Sequence, residues 1–184
     1  MAASPGVQRV SGGPARIGRT VAESRASVVR LMVPTDANFQ GNVFGGVILA
    51  EVDRVAYVTA TRHSGLNCVT ASFDRVDFLA PVRLGEVVTF DSRITYAGHT
   101  SMEIWVHVQA EELAGGPKIP VGNAFVTMVA VGPDGRPTPI RSLELSMPEE
   151  RQLFDEGRAR MEARRQSRRS SAATRLSTSG ENQR

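Results

Sequence analysis

Several things are scarce in this sequence. One cysteine, Cys68, stands among 184 residues. That excludes a disulfide scaffold and a cysteine-built zinc site, and it fits a reducing compartment such as the cytoplasm. His63, His99 and His107 lack the spacing of metal ligands, so no metal is expected. No apolar run is long enough to cross a bilayer, and no membrane partner is expected. The GxSxG elbow, the phosphate-binding P-loop and the dinucleotide fingerprint are all missing. Of the 22 basic residues only Lys118 is a lysine, a skew that reads as genome composition before it reads as function. What remains is 41% hydrophobic and 22% charged, enough for one domain with a real core.

The charge is unevenly placed. Residues 1–30 carry five Arg and one Glu; residues 31–148 carry eight basic and twelve acidic side chains; residues 149–184 carry nine Arg and six acids. The basic character therefore belongs to the ends. A nucleic-acid reader would carry its basic footprint on the folded part, so no nucleic-acid partner is expected. Residues 1–26 are rich in Gly, Pro, Ser and Ala and read as a disordered lead-in. They lack the apolar stretch of a secretory signal. They are arginine-bearing like a mitochondrial presequence, but Pro5, Gly6 and Gly12-Gly13-Pro14 oppose the amphipathic helix such a presequence needs. Pro148, Glu149 and Glu150 open a helix expected over 148–169, with a thin stripe of Leu153, Phe154 and Met161 that predicts loose docking. Residues 170–184 read as a disordered tail.

The domain expected over 27–147 begins with a strand, Ser27–Val33. Gly45-Gly46 then opens a helix to about Arg62, apolar almost all round and therefore buried. Four long strands follow: Cys68–Leu79, Glu86–Tyr96, Met102–Leu113 and Pro120–Val131. In the third, Met102, Ile104, Val106, Val108 and Ala110 share one face, and Glu103, Trp105, His107 and Gln109 the other. The order predicts an α+β fold, a curved antiparallel sheet wrapped around one long buried helix. Trp105, Val126 and Met128 are assigned to the outer sheet face, where another subunit is expected to cover them.

The sharpest chemical signal lies in Pro34–Asp53. Gly45 and Gly46 at a helix mouth let a ligand approach the backbone, and the first-turn amides point at it, which is oxyanion-hole chemistry. A tight loop entering a buried helix would also use two glycines. Asp53 lies two turns further along the same side, among mostly apolar neighbours. A carboxylate there acts as a base or nucleophile, or else it forms a buried ion pair with Arg54, Arg75 or Arg93. Asp36, Asn38 and Asn42 are ordinary turn formers; of these, Asn42 is taken as the one close enough to the glycines to share a site. Gly98-His99-Thr100-Ser101 is a tight turn whose donors could meet a phosphate.

The run MVPTDANFQGNVFGGVILAEVD resembles the N-terminal segment of hotdog-fold acyl-CoA thioesterases, nearest the brain-type hydrolases and short bacterial relatives. The likeness continues through VTASFDRVDFLAPVRLGEVV, ITYAGHTSMEIWVHV and VGNAFVTMVAV. It implies hydrolysis of fatty acyl-CoA without metal or cofactor, coenzyme A entering as part of the substrate. It implies that the Gly45 and Gly46 amides hold the thioester oxygen, that Asp53 activates water or attacks, and that Asn42 positions water or carbonyl. Asn42 stands where many bacterial relatives carry Asp, which leaves Asp53 as the base. Phe44 and the Gly98, His99, Thr100 and Ser101 turn are implied to contact the acyl-CoA. A homo-oligomer is implied, a trimer of hotdog dimers. A non-catalytic acyl-CoA binder or sensor stays open because of Asn42, and so does a hydratase or dehydratase, although Phe44 stands where that class wants a histidine.

Overall fold

The computed structural model describes residues 17–181. The chain is organised around helix α2, Gly45–Ser64. Val52, Val55, Ala56 and Ala60 are almost fully buried along it. Gly65 ends it in the left-handed region (φ 69°), donating its amide to the Thr61 carbonyl; glycine adopts that conformation without a Cβ clash.

Around α2 curve five antiparallel strands: β2 (Ala26–Leu31), β3 (Asn67–Phe78), β4 (Glu86–Ala97), β5 (Ser101–Glu112) and β6 (Ile119–Val131). Their spatial order is β2-β4-β5-β6-β3. The first strand after the helix thus crosses to the far edge. Two register shifts in β3, between Thr70 and Ser72 and between Phe73 and Arg75, bend that edge, since a bulge adds local twist. The α+β expectation and all five long strands agree with the sequence to within about two residues at each end.

Facing is where the structure corrects the sequence. Met102 opposes Met128 and Ile104 opposes Val126 across the β5–β6 pair. Direct cross-strand partners share a face, so Val126 and Met128 belong to the helix side with Met102 and Ile104, and all four are buried. A strand apolar on both faces offers no parity to read, and only its partner settles which side is which. The outer face instead presents Trp105 and Phe125 as partners, and the C-terminal helix of the same chain lies over part of it.

Helix α3 runs Pro148–Glu181, past the expected end at 169; residues 182–184 lie outside the described part. Its docking is close. A Cβ at Gly157 would sit 2.9 Å from both Glu103 Oε1 and Tyr96 Cβ, so only glycine allows this approach. Glu103 is wholly buried and accepts bonds from Arg160 at 2.8 and 3.0 Å and from Thr95 at 2.6 Å. Phe154 packs on Tyr96, and Arg160 lies 4.3 Å over the Phe125 ring. The glycine, not the thin apolar stripe, is the residue that fixes this helix.

The lead-in also differs. Residues 1–16 lie outside the described part, but Arg19–Thr20 forms a short strand, β1, beside β7 (Leu143–Glu144), and Val21–Ser24 forms a turn of helix, α1. Thr20 and Glu23 cap α1 reciprocally, and Val21 is buried. The Thr-x-x-Glu spacing is a helix start signal inside a stretch whose composition hides it.

Candidate active site

Two mouth-forming features follow from local sequence. Pro34–Asp36 makes one 3-10 turn, and Asp36 is buried, accepting bonds from the Val33 amide at 3.0 Å and from Arg30 at 2.6 Å. The Phe44 amide donates to the Asp36 carbonyl at 2.8 Å, which aims the chain into α2. Phe44 is the first cap residue of the helix and supplies no side-chain cap. The Gly45 and Gly46 amides are therefore orphan donors of the first turn. A side chain at either position would push on an aromatic ring. A Cβ would meet the Phe78 ring at 3.3 Å from Gly45 and the Phe44 ring at 2.3 Å from Gly46.

A cavity of about 380 Å³ opens at this mouth, lined by Asn38, Asn42, Gly45, Ile48, Phe78 and Pro81 among others. Asn38 thus shares the cleft with Gly45, contrary to the expectation that only Asn42 is near enough. Loop folding brings it back: the Asn38 amide donates to the Asn42 carbonyl at 2.7 Å. The Asn38 Oδ1 accepts from the Gln40 and Asn42 amides at 2.9 and 3.1 Å. Two backbone donors fix which end of the side chain is oxygen. The Asn38 Nδ2 has no partner among the described residues. Asn42 is half-buried, pairs by backbone with Arg83, and has no side-chain hydrogen bond among the described residues.

Asp53 is half-buried further along α2, and its Oδ1 accepts from Thr70 Oγ1 at 2.5 Å. The ion pair considered for it does not form with Arg54, Arg75 or Arg93. Arg54 pairs instead with Glu51 at 2.6 Å, and Arg75 with Asp77 at 2.7 Å. The buried, ion-paired carboxylate of this helix is Glu51, which also holds Arg30 at 2.7 Å. Seven residues separate Gly46 from Asp53, about 10 Å along the axis. One mouth and one Asp53 of the same chain therefore do not meet on a single carbonyl.

The Gly98–Ser101 turn connects β4 to β5, closed by the Gly98 amide on the Ser101 carbonyl at 2.8 Å; His99 is exposed. Thr100 and Ser101 line a separate hollow of about 250 Å³ with Ala71, Met161, Arg164 and Arg165. It lies one residue along β3 from Thr70, on the other side of the sheet. Phe44, 58% exposed, borders the mouth. Thr70, the hydroxyl partner of Asp53, is missed by sequence reading. Its signal lies in cross-strand pairing, which places it opposite Met128 on the helix side, and no local motif announces that.

A glycine helix mouth enclosed by a curved five-stranded sheet is the arrangement of the hotdog thioesterases, and the chain belongs to this family of acyl-CoA thioesterases. A thioesterase superfamily model matches residues 40–115. The chain is 36% identical over 152 residues to the cytosolic acyl coenzyme A thioester hydrolase of Rattus norvegicus, covering 80% of this chain and 40% of that one. It thus spans well under half the length of that relative. An apo-hexameric acyl-CoA thioesterase superposes with a TM-score of 0.78 at 36% identity, covering 83% of this chain and 97% of that one. An acyl-CoA hydrolase from Staphylococcus aureus, solved with butyryl coenzyme A and coenzyme A, superposes at 0.79 with 29% identity, covering 88% and 98%. The same hydrolase has been solved with single alanine replacements of an asparagine, an aspartate and a threonine.

Proposed function

We propose that this chain hydrolyses acyl-CoA thioesters at a site built from two protomers, Asn38 and the Gly45 and Gly46 amides of one facing Asp53 and Thr70 of the other. The observation that carries it is the separation, on one helix, of an open amide mouth from a carboxylate whose one hydrogen-bond partner among the described residues is a hydroxyl. Spacing supports the choice of side chains. The three positions replaced in the Staphylococcus aureus hydrolase lie fifteen and seventeen residues apart, as do Asn38, Asp53 and Thr70 here. Asn38 thereby takes the role first given to Asn42, which is left to shape the loop that holds it.

The partner enters through β3. It is an edge strand, and Val69, Phe73 and Phe78 stay exposed along it. An apolar unpaired edge is a liability until it is covered, and two-fold pairing is the commonest way to close it. A trimer of such dimers is the assembly we propose, in line with the hexameric relative.

The chemistry follows from the donors. The thioester oxygen accepts from the glycine amides, helped by Asn38 Nδ2, and these bonds strengthen as charge develops on it. Asp53, held by Thr70, takes a proton from water while the water oxygen bonds to the carbonyl carbon. Collapse of the tetrahedral adduct breaks the C–S bond. The leaving thiolate recovers the proton from Asp53, so free acid and coenzyme A depart and the enzyme is restored. Coenzyme A is part of the substrate here, and the reaction uses no cofactor. We assign the nucleotide end of the substrate to the Thr100–Ser101 turn, which shares a hollow with Arg165.

Thiol release from acyl-CoAs of graded chain length, measured on the full chain, tests this. Multiple turnovers that vanish in Asp53→Asn are expected. Tight acyl-CoA binding without release would identify a binder or sensor instead.

A further inference from the structure

The hollow at the glycine mouth has a neighbour. A second cavity, about 350 Å³ in volume, lies beside the hairpin that joins β5 to β6, and Ala80 and Pro81 line both. The reason is local. The Leu79 amide donates to the Val121 carbonyl, and the Val82 carbonyl accepts from the Val43 amide, both at 2.9 Å. Residues 80 and 81 are thus held between β6 and the loop before α2, and they form the ridge on which the two hollows meet. Ala80 is half-buried and its side chain is a single methyl, so the ridge is low. Pro81 brings no amide hydrogen that would need a partner there.

Apolar wall runs from one hollow into the other. Val43, Ile48, Leu79 and Val82 line the near one, and Ala110, Ile119 and Val121 the far one. Leu79 and Ile119, one on each side of the ridge, are both 56% exposed. An apolar chain laid across the ridge covers both, and each methylene taken from water is favourable. Gly115 and Gly116 turn the hairpin at positive φ, and a Cβ at either would meet nothing within 4 Å. The far end is therefore roomy. With the thioester oxygen on the Gly45 and Gly46 amides, the acyl group starts in the near hollow, and the far hollow is its continuation.

Charge at the far end narrows the choice of acyl group. Glu86, Glu111 and Glu112 line the far hollow, against one arginine, Arg83. Glu86 accepts from the Arg83 amide at 2.9 Å, and Glu111 lies 3.7 Å from Lys118. A second carboxylate at the end of the acyl chain would give up water and meet charge of its own sign there. A methyl end meets neither cost.

We infer that the cavity beside the β5–β6 hairpin holds the distal methylenes of a long, uncharged acyl chain, and that Ala80 sets the chain length accepted by keeping the ridge low. This rests on the hydrolase reading above and names its substrate class. Binding of the tail acts on kcat/KM, because it is made far from the reacting carbon.

Thiol release by the full chain tests it, with butyryl-CoA, lauroyl-CoA and the mono-CoA thioester of dodecanedioic acid, all below micelle-forming concentrations. The unaltered chain should turn over butyryl-CoA and lauroyl-CoA, with the higher kcat/KM for lauroyl-CoA. Ala80→Phe, which raises the ridge, should lower kcat/KM for lauroyl-CoA by about tenfold or more, the scale of two methylenes left unburied, and change that for butyryl-CoA by no more than about twofold. Ile119→Glu, at an exposed position in the far hollow, carries the same expectation should Ala80→Phe not fold. The diacid thioester should react about tenfold or more slowly than lauroyl-CoA, the scale of a charge set against like charge. Rejection of lauroyl-CoA by the unaltered chain, a lauroyl rate indifferent to both variants, equal losses on both chain lengths, or a diacid thioester as fast as lauroyl-CoA would overturn the inference and leave hydrolysis standing. No release from any of the three by the unaltered chain would overturn the hydrolase reading, and this inference with it.

Discussion

Glu51 and Asp53 stand two residues apart on α2, and their surroundings are opposite. Glu51 is buried and locked between Arg30 and Arg54. Asp53 is half-buried and touches one hydroxyl. Two residues turn a helix by about 200°, so the pair faces different elements. Glu51 points to the β2 side, where Arg30 also holds Asp36 and so ties the loop before the mouth to the helix after it. Asp53 points to the β3 edge. A carboxylate with two cationic partners has its lone pairs occupied and serves architecture, whereas one with a single hydroxyl partner keeps acceptor capacity for water.

The sharpest way to break this comparison is to exchange the losses. Asp53→Asn should lower kcat by at least about a hundredfold, the scale of a lost general base, with thermal unfolding almost unchanged. Near-normal turnover in that folded variant would place the base elsewhere. Glu51→Gln should do the reverse. Removing one partner of a buried pair costs about 3 kcal/mol, so denaturant unfolding should shift strongly while kcat per folded molecule stays near normal.

Asn38 and Asn42 sharpen the same contrast at the mouth. Asn38→Ala loses both the oriented donor and two loop bonds, and should slow kcat by about ten- to a hundredfold. Asn42→Ala should cost only a few-fold, since Asn42 serves the loop through its backbone. Equal losses in steady-state kinetics would mean that Asn42 also reaches the substrate. Thr70→Val, which keeps shape and removes the hydroxyl, should lower kcat about tenfold or less in steady-state kinetics, because Asp53 loses the hydroxyl that holds its carboxylate.

The closed end of α2 offers a smaller, slower test. His63 is fully buried, with Nδ1 against Ser24 Oγ and Nε2 against the Arg141 carbonyl, both at 3.2 Å. The carbonyl must accept, so Nε2 carries the hydrogen and the ring is neutral. Burial pushes its pKa down from 6.5 to about 4. Between those values the unfolded chain binds a proton that the native one refuses, so stability is full above pH 6.5 and falls as pH drops towards 4. His63→Gln should flatten that part of the stability–pH curve. A slope equal to that of the unaltered protein would assign the acid sensitivity to other groups.

Much of this was legible in the chain, for identifiable reasons. Helix α2 announces itself because Gly45, Gly46 and Gly65 bracket a stretch apolar on nearly every side, and burial on all sides is the one state such a helix can occupy. Strand β5 is legible because alternation has a period of two and Met102 through Ala110 keep it throughout. The glycine mouth and Asp53 are readable as chemistry because helix periodicity sets them on one side. The capping box at Thr20 and Glu23 was also present in the sequence, hidden by the composition around it.

Partners across the fold were a different matter. Which face Val126 and Met128 take was decided by their register against β5, because β6 is apolar on both sides. Whether Asp53 or Glu51 holds the arginines depended on where Arg30 lies, twenty-one residues before Glu51 and on another element. That Thr70 meets Asp53 followed from a strand crossing to the far edge of the sheet, and that Asn38 lines one cavity with Gly45 from a loop folding back on itself. The sequence by itself determined the elements, because local periodicity and backbone preference act between near neighbours. Tertiary structure alone decided the pairings of charge and hydrogen bond, because those depend on distances between residues that the chain order leaves free.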